Sequence, residues 1–547
     1  MGDYSKALEF YEKSFKIREK ALSPNHPDLA QSYNNIGAVY ENMGDYSKVL
    51  EFYEKSHKIF EKALPPNHPD LATSYNNIGL VYNKMGDYSK ALEFYEKSHQ
   101  ILEKALPPNH PHLATSYNGI GGVYDNMGNY SKALEFYEKS RQIREKALPP
   151  NHPDLATSYN NIGGVYNNMG DYSKALEFCE KSHKIYQKAL PPNHPLLATS
   201  YSSIGQVYNN MSDYLKALEF YEKSHKTYEK ALPPNHPHLA TSYNGIGRVY
   251  QNMGNYSKAL EFYEKSHQIL EKALPPNHPD LATSYNNIGS VYYGMGDYSK
   301  ALEFYEKSFK IREKALSPNH PDLAQSYNNI GAVYYDMGDY SKALEFYEKD
   351  LEITKKALPS NHPNLATSYN NIGLVYKNMG NYSKVLEFYE KSLKIREKAL
   401  PPNHPDLATS YNNIGMVYNN MGDYSKALEF YDKALKIREK ALPSNHPDLA
   451  TSYNNIAAVY NNMNDYSKAL EFYEKSFKIR EKALSPNHPD LAQSYNNIGT
   501  TYFGMGDYSK ALSFLEKALL IKQKSLPPGH PSIKATKDNI DYVKKKM

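Results

Sequence analysis

"SYNNIGLVYNKMGDYSKALEFYEKS", Ser74–Ser98, joins two helical patterns through a glycine turn and sets adjacent asparagines, Asn76 and Asn77, inside the first of them. Asparagine is a weak helix former because its amide competes for nearby backbone groups. The pair nevertheless returns at Asn34/Asn35, Asn160/Asn161, Asn286/Asn287 and Asn328/Asn329, always at multiples of 42 residues. Methionine keeps the same step from Met1, Met43 and Met85 to Met547 without an insertion or deletion, so thirteen repeats fill 546 of the 547 residues. A fixed period of this size marks an array in which each repeat packs on its neighbours. Length alone would suggest several globular domains; the period overrides it, and 1–547 is read as one array.

Composition narrows the function classes. No apolar run approaches the roughly 18 residues that span a bilayer, and the start lacks the basic and apolar blocks of a signal peptide. A single cysteine, Cys179, excludes an internal disulfide framework and suits the cytoplasm, where the protein is expected. It stands where most repeats have tyrosine, as at Tyr11, Tyr53 and Tyr95, and reads as a buried structural thiol. The net charge is +4, with much of the excess in the lysine-rich tail after Ser532. The repeats themselves are nearly neutral, whereas phosphate binding needs a concentrated positive field. Neither nucleic acid nor membrane is an expected partner.

Each repeat reads as two helices. In "NHPDLATSYNNIGLVYNKMG" (Asn67–Gly86), Pro69 fits the first turn, Asn67 or His68 the N-cap, and Asp70 the positive end of the helix dipole. Leu71, Tyr75, Ile78, Gly79 and Tyr82 form one buried stripe at helical spacing. Gly86 ends the helix with a positive φ; eleven of thirteen repeats have glycine there, and Ser212 and Asn464 are the exceptions. The second helix, Asp45–Leu64, buries Tyr46, Val49, Leu50, Tyr53 and Ile59. It solvates the pairs Glu51–Lys55 and Glu54–Lys58 and stops at "LPPNHP". Alanine in most repeats at the place of Val49 implies a close helix contact. The expected fold is all-α: a right-handed α-solenoid, a superhelix of antiparallel helix pairs.

Tyr75, Ile78, Gly79, Tyr82, Gly86, Tyr88, Ala91 and Tyr95 resemble the tetratricopeptide-repeat pattern, lengthened from 34 to 42 residues. The longer unit resembles the repeats of kinesin light chains, without their N-terminal heptad region, so motor attachment is not supported. In "GHPSIKATKDNIDYVKKKM" the core places become Lys537, Asp541 and Lys544, which reads 530–547 as a polar capping helix. Residues 1–22 read as a second helix with no first helix to cover it. Either the chain is a fragment or that helix finds another partner.

On a helical wheel with Tyr33 at zero, the buried stripe falls within about 60°, Asn34 lies in the band about 80–160° from Tyr33, and Asn35 near 180–200°. The resemblance implies that first helices line a concave groove, so these amides would face it. An amide offers one acceptor and two donors, enough to match the peptide group of an extended chain. The candidate peptide-binding residues are therefore Asn34, Asn76, Asn118, Asn160, Asn244, Asn286, Asn328, Asn370, Asn412, Asn454 and Asn496. Asn287, Asn329 and Asn371 of the second position join them, with the groove cations Lys84, Arg248 and Lys377. The competing reading makes the second-position amides struts that set repeat geometry. Variable residues at the place of Ala38, from Leu80 to Arg248 and Thr500, would supply specificity.

Other chemistry finds no support. Thirteen histidines sit in "NHP" or "GHP" and read as caps. His57, His99, His183, His225 and His267 read as residues of the exposed face of second helices, and none falls at metal-ligand spacing. No phosphate loop and no nucleophile–base set stand out from the repeats. The tyrosines are core material rather than base-stacking platforms, which would need interleaved cations. The expected function is a non-catalytic scaffold or adaptor that binds protein or peptide and needs no cofactor or metal. The alternatives are a sensor array detached from a larger signalling protein and, from another class, a helical-repeat RNA binder.

Overall fold

A computed structural model describes residues 4–442, 444–484, 488–525 and 531–547. Residues 1–3 of the first expected helix, and residue 530 of the expected cap, lie outside the described residues. Among them the chain is an α-solenoid of 26 helices without strands. It divides into two compact units, Met1–Val375 and Tyr376–Met547.

Local chemistry sets every helix end. The first helix of a repeat, such as Pro69–Lys84, starts at His68, whose side chain accepts from the Asp70 backbone N–H. The second, such as Tyr88–Ala105, starts at Asp87, whose carboxylate accepts from Lys90 N–H. Between them Gly86 adopts φ 77°, and Ser212 and Asn464 adopt φ 60° in the two repeats without that glycine. The carbonyl of Leu106 lies beyond the last turn, which its N–H closes by donating to Leu102.

The two helices of a repeat nest a tyrosine ring on a glycine. A Cβ built on Gly79 would stand 3.3 Å from the Tyr95 ring and 3.3 Å from the Ala91 carbonyl. On Gly331 it would stand 3.0 Å from Tyr347, and on Gly415, in the second compact unit, 3.0 Å from Tyr431. Around this contact Ile78 and Val81 are buried. Tyr82, placed by the wheel in the stripe, is only half-buried, and its ring stacks on Phe94 at 5.5 Å. The second-helix stripe shifts likewise: Phe60 is buried, whereas Ile59 is half-exposed.

Successive repeats are joined by a latch the wheel did not show. Each first helix buries a serine, such as Ser74 or Ser158, and the preceding second helix sends one polar side chain to it. His57 Nδ1 lies 2.8 Å from Ser74 Oγ, and His99, His183, His225 and His267 repeat the contact with Ser116, Ser200, Ser242 and Ser284. In other repeats an arginine does the work: Arg144 Nη1 donates to Ser158 Oγ at 2.8 Å, and Arg312, Arg438 and Arg480 do the same to their serines. The second-helix histidines are therefore not exposed-face residues. Each is half-buried, and His57 lies 4.3 Å from the Tyr75 ring.

Within the first compact unit the array coils until repeats six steps apart touch. His320 Nε2 donates to the Lys84 carbonyl at 2.8 Å and His362 Nε2 to that of Asn126 at 2.9 Å. In each imidazole Nδ1 accepts the capping N–H, so both nitrogens are used only in the neutral Nε2–H form. The prolines that follow these histidines leave no room beside the turn glycines. A Cβ on Gly86 would fall 2.6 Å from Pro321 Cδ, and one on Gly128 2.7 Å from Pro363 Cδ.

At the ends, Tyr4–Ala21 packs on Pro27–Met43. The last helix, Pro531–Lys544, buries Ile533, Thr536, Ile540 and Val543 while exposing Lys537, Asp541 and Lys544.

Two outcomes are expected. Ala457 already stands in one of the glycine places, so a methyl is tolerated, but Gly331→Val should cost about 1–3 kcal/mol through overpacking. Denaturant unfolding of the variant checks it, and wild-type stability would contradict the nesting. Burial lowers the pKa of His57, His99, His183, His225, His267 and His362. A histidine with a depressed folded pKa contributes stability above the unfolded value, ~6.5, and loses it as pH falls below that. Thermal melts should therefore drop from pH 7.5 to pH 5.5; an unchanged or higher melting temperature at pH 5.5 would refute the assignment.

Candidate functional site

The asparagine pairs lie on first helices beside the buried face, and every candidate amide is half-buried. Their partners answer why a helix carries them. Asn161 Nδ2 donates to Asn118 Oδ1 at 2.7 Å and Asn329 to Asn286 at 2.6 Å. In the second compact unit Asn455 donates to Asn412 at 2.8 Å and Asn497 to Asn454 at 2.9 Å. The second amide of one pair thus bonds the first amide of the preceding pair. Gln325 and Gln493 donate in turn to Asn329 and Asn497. Two turns further on, a parallel series ties Asn126 to Asn83, Asn210 to Asn167 and Asn252 to Asn209, at 3.0–3.1 Å.

These struts consume one donor and one acceptor per rung and leave the Nδ2 groups of Asn118, Asn286, Asn412 and Asn454 outside them. The ladder is interrupted in several places: at Asn34 and Asn244, although the next repeats carry Asn77 and Asn287, and where the next repeat supplies no amide. Asn76 faces a repeat with Gly119 in the second position. Asn160 faces Ser203, whose hydroxyl donates instead to the Thr199 carbonyl. The Oδ1 atoms of Asn34, Asn160 and Asn244 are buried without a partner.

The three groove cations are also engaged. Lys84 Nζ lies 2.7 Å from Glu41 Oε1, Arg248 Nη1 donates to Gln206 Oε1 at 2.9 Å, and Lys377 Nζ lies 3.4 Å from Met416 Sδ. None belongs to a concentrated positive patch.

One interruption opens a recess of about 420 Å³ in the first compact unit. Asn160, Gly163, Gly164 and Asn167 line it from one first helix, Ser202, Ser203 and Gln206 from the next, and Asn244 and Arg248 from a third. Cys179, Val207 and Tyr221 form its apolar floor. It collects the predicted residues Asn160, Asn244, Asn287 and Arg248 with Gln206 of the variable wall, and it adds Ser202 and Ser203, which sequence reasoning passed over, and Cys179, which it read only as a buried structural thiol. Their signal was present as departures from the repeat, but in neighbouring repeats, each too slight to stand out alone.

Comparison with protein families matches the tetratricopeptide repeat at residues 1–62, 66–146, 154–230, 202–272, 238–314, 280–356, 322–398, 364–440, 406–482 and 448–524. The chain belongs to the tetratricopeptide repeat family. No curated protein matches it. Among solved structures, nearly identical TPR-like repeats of a kinesin light chain from Podosopora anserina are 26% identical, with a TM-score of 0.32, over 38% of this chain and 97% of that one. BtubC (BKLC) from P. vanneervenii is 20% identical, with a TM-score of 0.33, over 42% of this chain and 91% of that one. The Cut9–Hcn1 hetero-tetramer of the APC/C is 16% identical, with a TM-score of 0.43, over 99% of this chain and 93% of that one. Family membership rests on the repeat-by-repeat match.

Within this tetratricopeptide array one candidate amide meets a buried acid. Asp350, 4% exposed, occupies the place of a serine such as Ser56. Asn328 Nδ2 donates to it at 3.2 Å, and Thr354 donates at 3.2 Å. Burial outweighs these bonds and raises its pKa to about 6. Cys179 is likewise buried, and burial pushes its thiol up to about 12, so the protonated form is favoured at neutral pH. Among the described residues no group of His, Cys, Asp and Glu could hold a metal ion, and no helix is long and apolar enough to cross a membrane.

Asp350 has the opposite pH sign to the histidines. A carboxyl whose folded pKa exceeds its unfolded value stabilises only while protonated, and that contribution is lost as pH rises through about 6. Asp350→Ser should raise stability at pH 7.5, by on the order of 2 kcal/mol, and change little at pH 4.5. Chemical denaturation at both pH values measures it; equal effects at the two would rule out a buried charge.

Proposed function

We propose that this tetratricopeptide array is a non-catalytic scaffold or adaptor, working in the cytoplasm, that holds extended protein segments along the face of its first helices. The supporting observation is the repeated amide row: half-buried, neutral, and with hydrogen-bonding capacity left over once the struts are made. Peptide groups repeat a donor and an acceptor at short intervals, and a row of amides matches them with little demand on sequence. The variable residues beside the row then read side chains. Binding energy comes from many weak contacts along the array rather than from a charged clamp, since its groove cations are few and Lys84 is already paired with Glu41. We also propose that 1–547 acts as one array, with 1–22 as the unpaired second helix of a half-repeat and 530–547 as the cap.

The amides divide by role, and this makes the proposal testable. Asn76, Asn160 and Asn244 make no strut, whereas Asn161, Asn329 and Asn455 do. Peptides of 15 residues selected from a random library on the intact array should lose at least ~10-fold affinity to the variant Asn76→Ala/Asn160→Ala/Asn244→Ala. Its melting should be unchanged or slightly higher, because two buried unpaired acceptors are removed. The strut variant Asn161→Ala/Asn329→Ala/Asn455→Ala should melt lower, by about 1 kcal/mol per bond. Peptides that bind the first variant as they bind wild type would remove the amide row from the binding site.

A further inference from the structure

Repeat symmetry shows what is missing from the recess. In most other repeats a tyrosine of the second helix lies on the glycine of the first, as Tyr137 lies on Gly121 and Tyr221 on Gly205; Leu515 takes the tyrosine place on Gly499, and Ala457 the glycine place in another repeat. In two repeats its hydroxyl reaches the last turn of that first helix, Tyr53 donating to Glu41 at 3.0 Å and Tyr263 to Gln251 at 3.1 Å, whereas Tyr221 donates to Gln206 at 3.2 Å. Cys179 holds this tyrosine place, Gly163 the glycine place, and Asn167 the place of Glu41 and Gln251. All three line the recess. The cavity therefore runs between the two ends of an absent tyrosine, from its ring seat to its hydroxyl acceptor.

Two further departures leave this space open. A Cβ on Gly164 would meet nothing within 4 Å, where other repeats carry residues such as Leu80 or Leu374. Ser202 and Ser203 replace the asparagine pair; their hydroxyls bond Ser224 and the Thr199 carbonyl, so neither fills the space with an amide. Val207 and the Tyr221 ring supply apolar and aromatic walls, and an aromatic guest packs well against such surfaces. Asn167 Oδ1 accepts one bond, from Asn210 at 3.0 Å, and an amide oxygen has a second lone pair to give. The volume, about 420 Å³, falls within the range of small-ligand pockets.

We propose that this recess is a subsite for one phenol-bearing side chain, a tyrosine of the bound segment, its ring over Cys179 and its hydroxyl donating to Asn167 Oδ1. The source of the tyrosine rests on the groove reading above; the shape and chemistry of the subsite rest on the repeat alone. The guest replaces, from the groove side, the ring that Cys179 does not provide.

The test uses the full chain and 4-methylphenol, the tyrosine side-chain analogue, followed by titration calorimetry or saturation-transfer NMR. Wild type should bind it, and toluene, which lacks the hydroxyl, should bind about 5-fold more weakly. Cys179→Tyr restores the ring found in most repeats and should abolish binding by at least ~10-fold while keeping the helical signal and raising the melting temperature. Gly164→Leu, the residue present at Leu80 and Leu374, gives a second block from the groove side should the first variant misfold. Equal binding of 4-methylphenol to wild type and both variants, or none to wild type up to its solubility, overturns the subsite. If the phenol fails while selected peptides still depend on Asn76, the subsite falls and the groove reading stands. If the phenol binds but no peptide does, the subsite stands and the groove reading falls.

Discussion

Close approach of the second helix at a glycine of the first, covered in most repeats by a tyrosine ring, sets the distance between the two helices of a repeat, and much of the rest follows from that distance. The glycine carries no Cβ, so the second helix can approach until the ring and an alanine carbonyl lie at 2.6–3.3 Å from where a Cβ would be. A dense interior transmits any change in such a contact to its neighbours. The same contact explains why one substitution has a visible effect. Cys179 removes a ring from the seam, the seam does not collapse, and a recess opens on the amide face.

Between repeats the constraint is polar. The buried serine of a first helix bonds twice, to a carbonyl of its own helix, as Ser74 donates to Leu71 at 2.7 Å, and to the preceding repeat. Histidine, arginine and aspartate from the preceding second helix make that second bond, at Ser74, Ser158 and Ser368 respectively. Their interchange carries a cost in pH dependence, because a half-buried imidazole and a buried carboxyl titrate with opposite effects on stability. The amide struts add a second set of inter-repeat bonds on the solvent side of the same seam. Paired asparagines, poor for helix formation, are retained where neighbouring helices can use them.

The capping histidines show how one side chain serves two scales. Nδ1 closes a local helix end, which any residue capable of capping could do. Nε2 of His320 and His362 reaches a backbone carbonyl 236 residues away, which only the coiling of the first compact unit makes possible. Three turn glycines, Gly44, Gly86 and Gly128, carry a matching second duty: a positive φ for the turn, and empty space for a proline six repeats on.

The sequence by itself determined the repeat, the helix pair and the caps, because these depend on residues a few positions apart in one 42-residue pattern. It also placed the amides beside the buried face, since a helical wheel needs no partner. It put Tyr82 in the core and His57 on the exposed face because a wheel cannot say how many neighbours surround a helix; the first helix is flanked on several sides, and its half-buried margin is where polar latches form. Only the tertiary structure decided which amides are struts, since each bond joins residues 43 apart on different helices. Only the tertiary structure brought Cys179, Gly164 and Ser203 to one recess, because stacking in register turns small departures in adjacent repeats into neighbours in space.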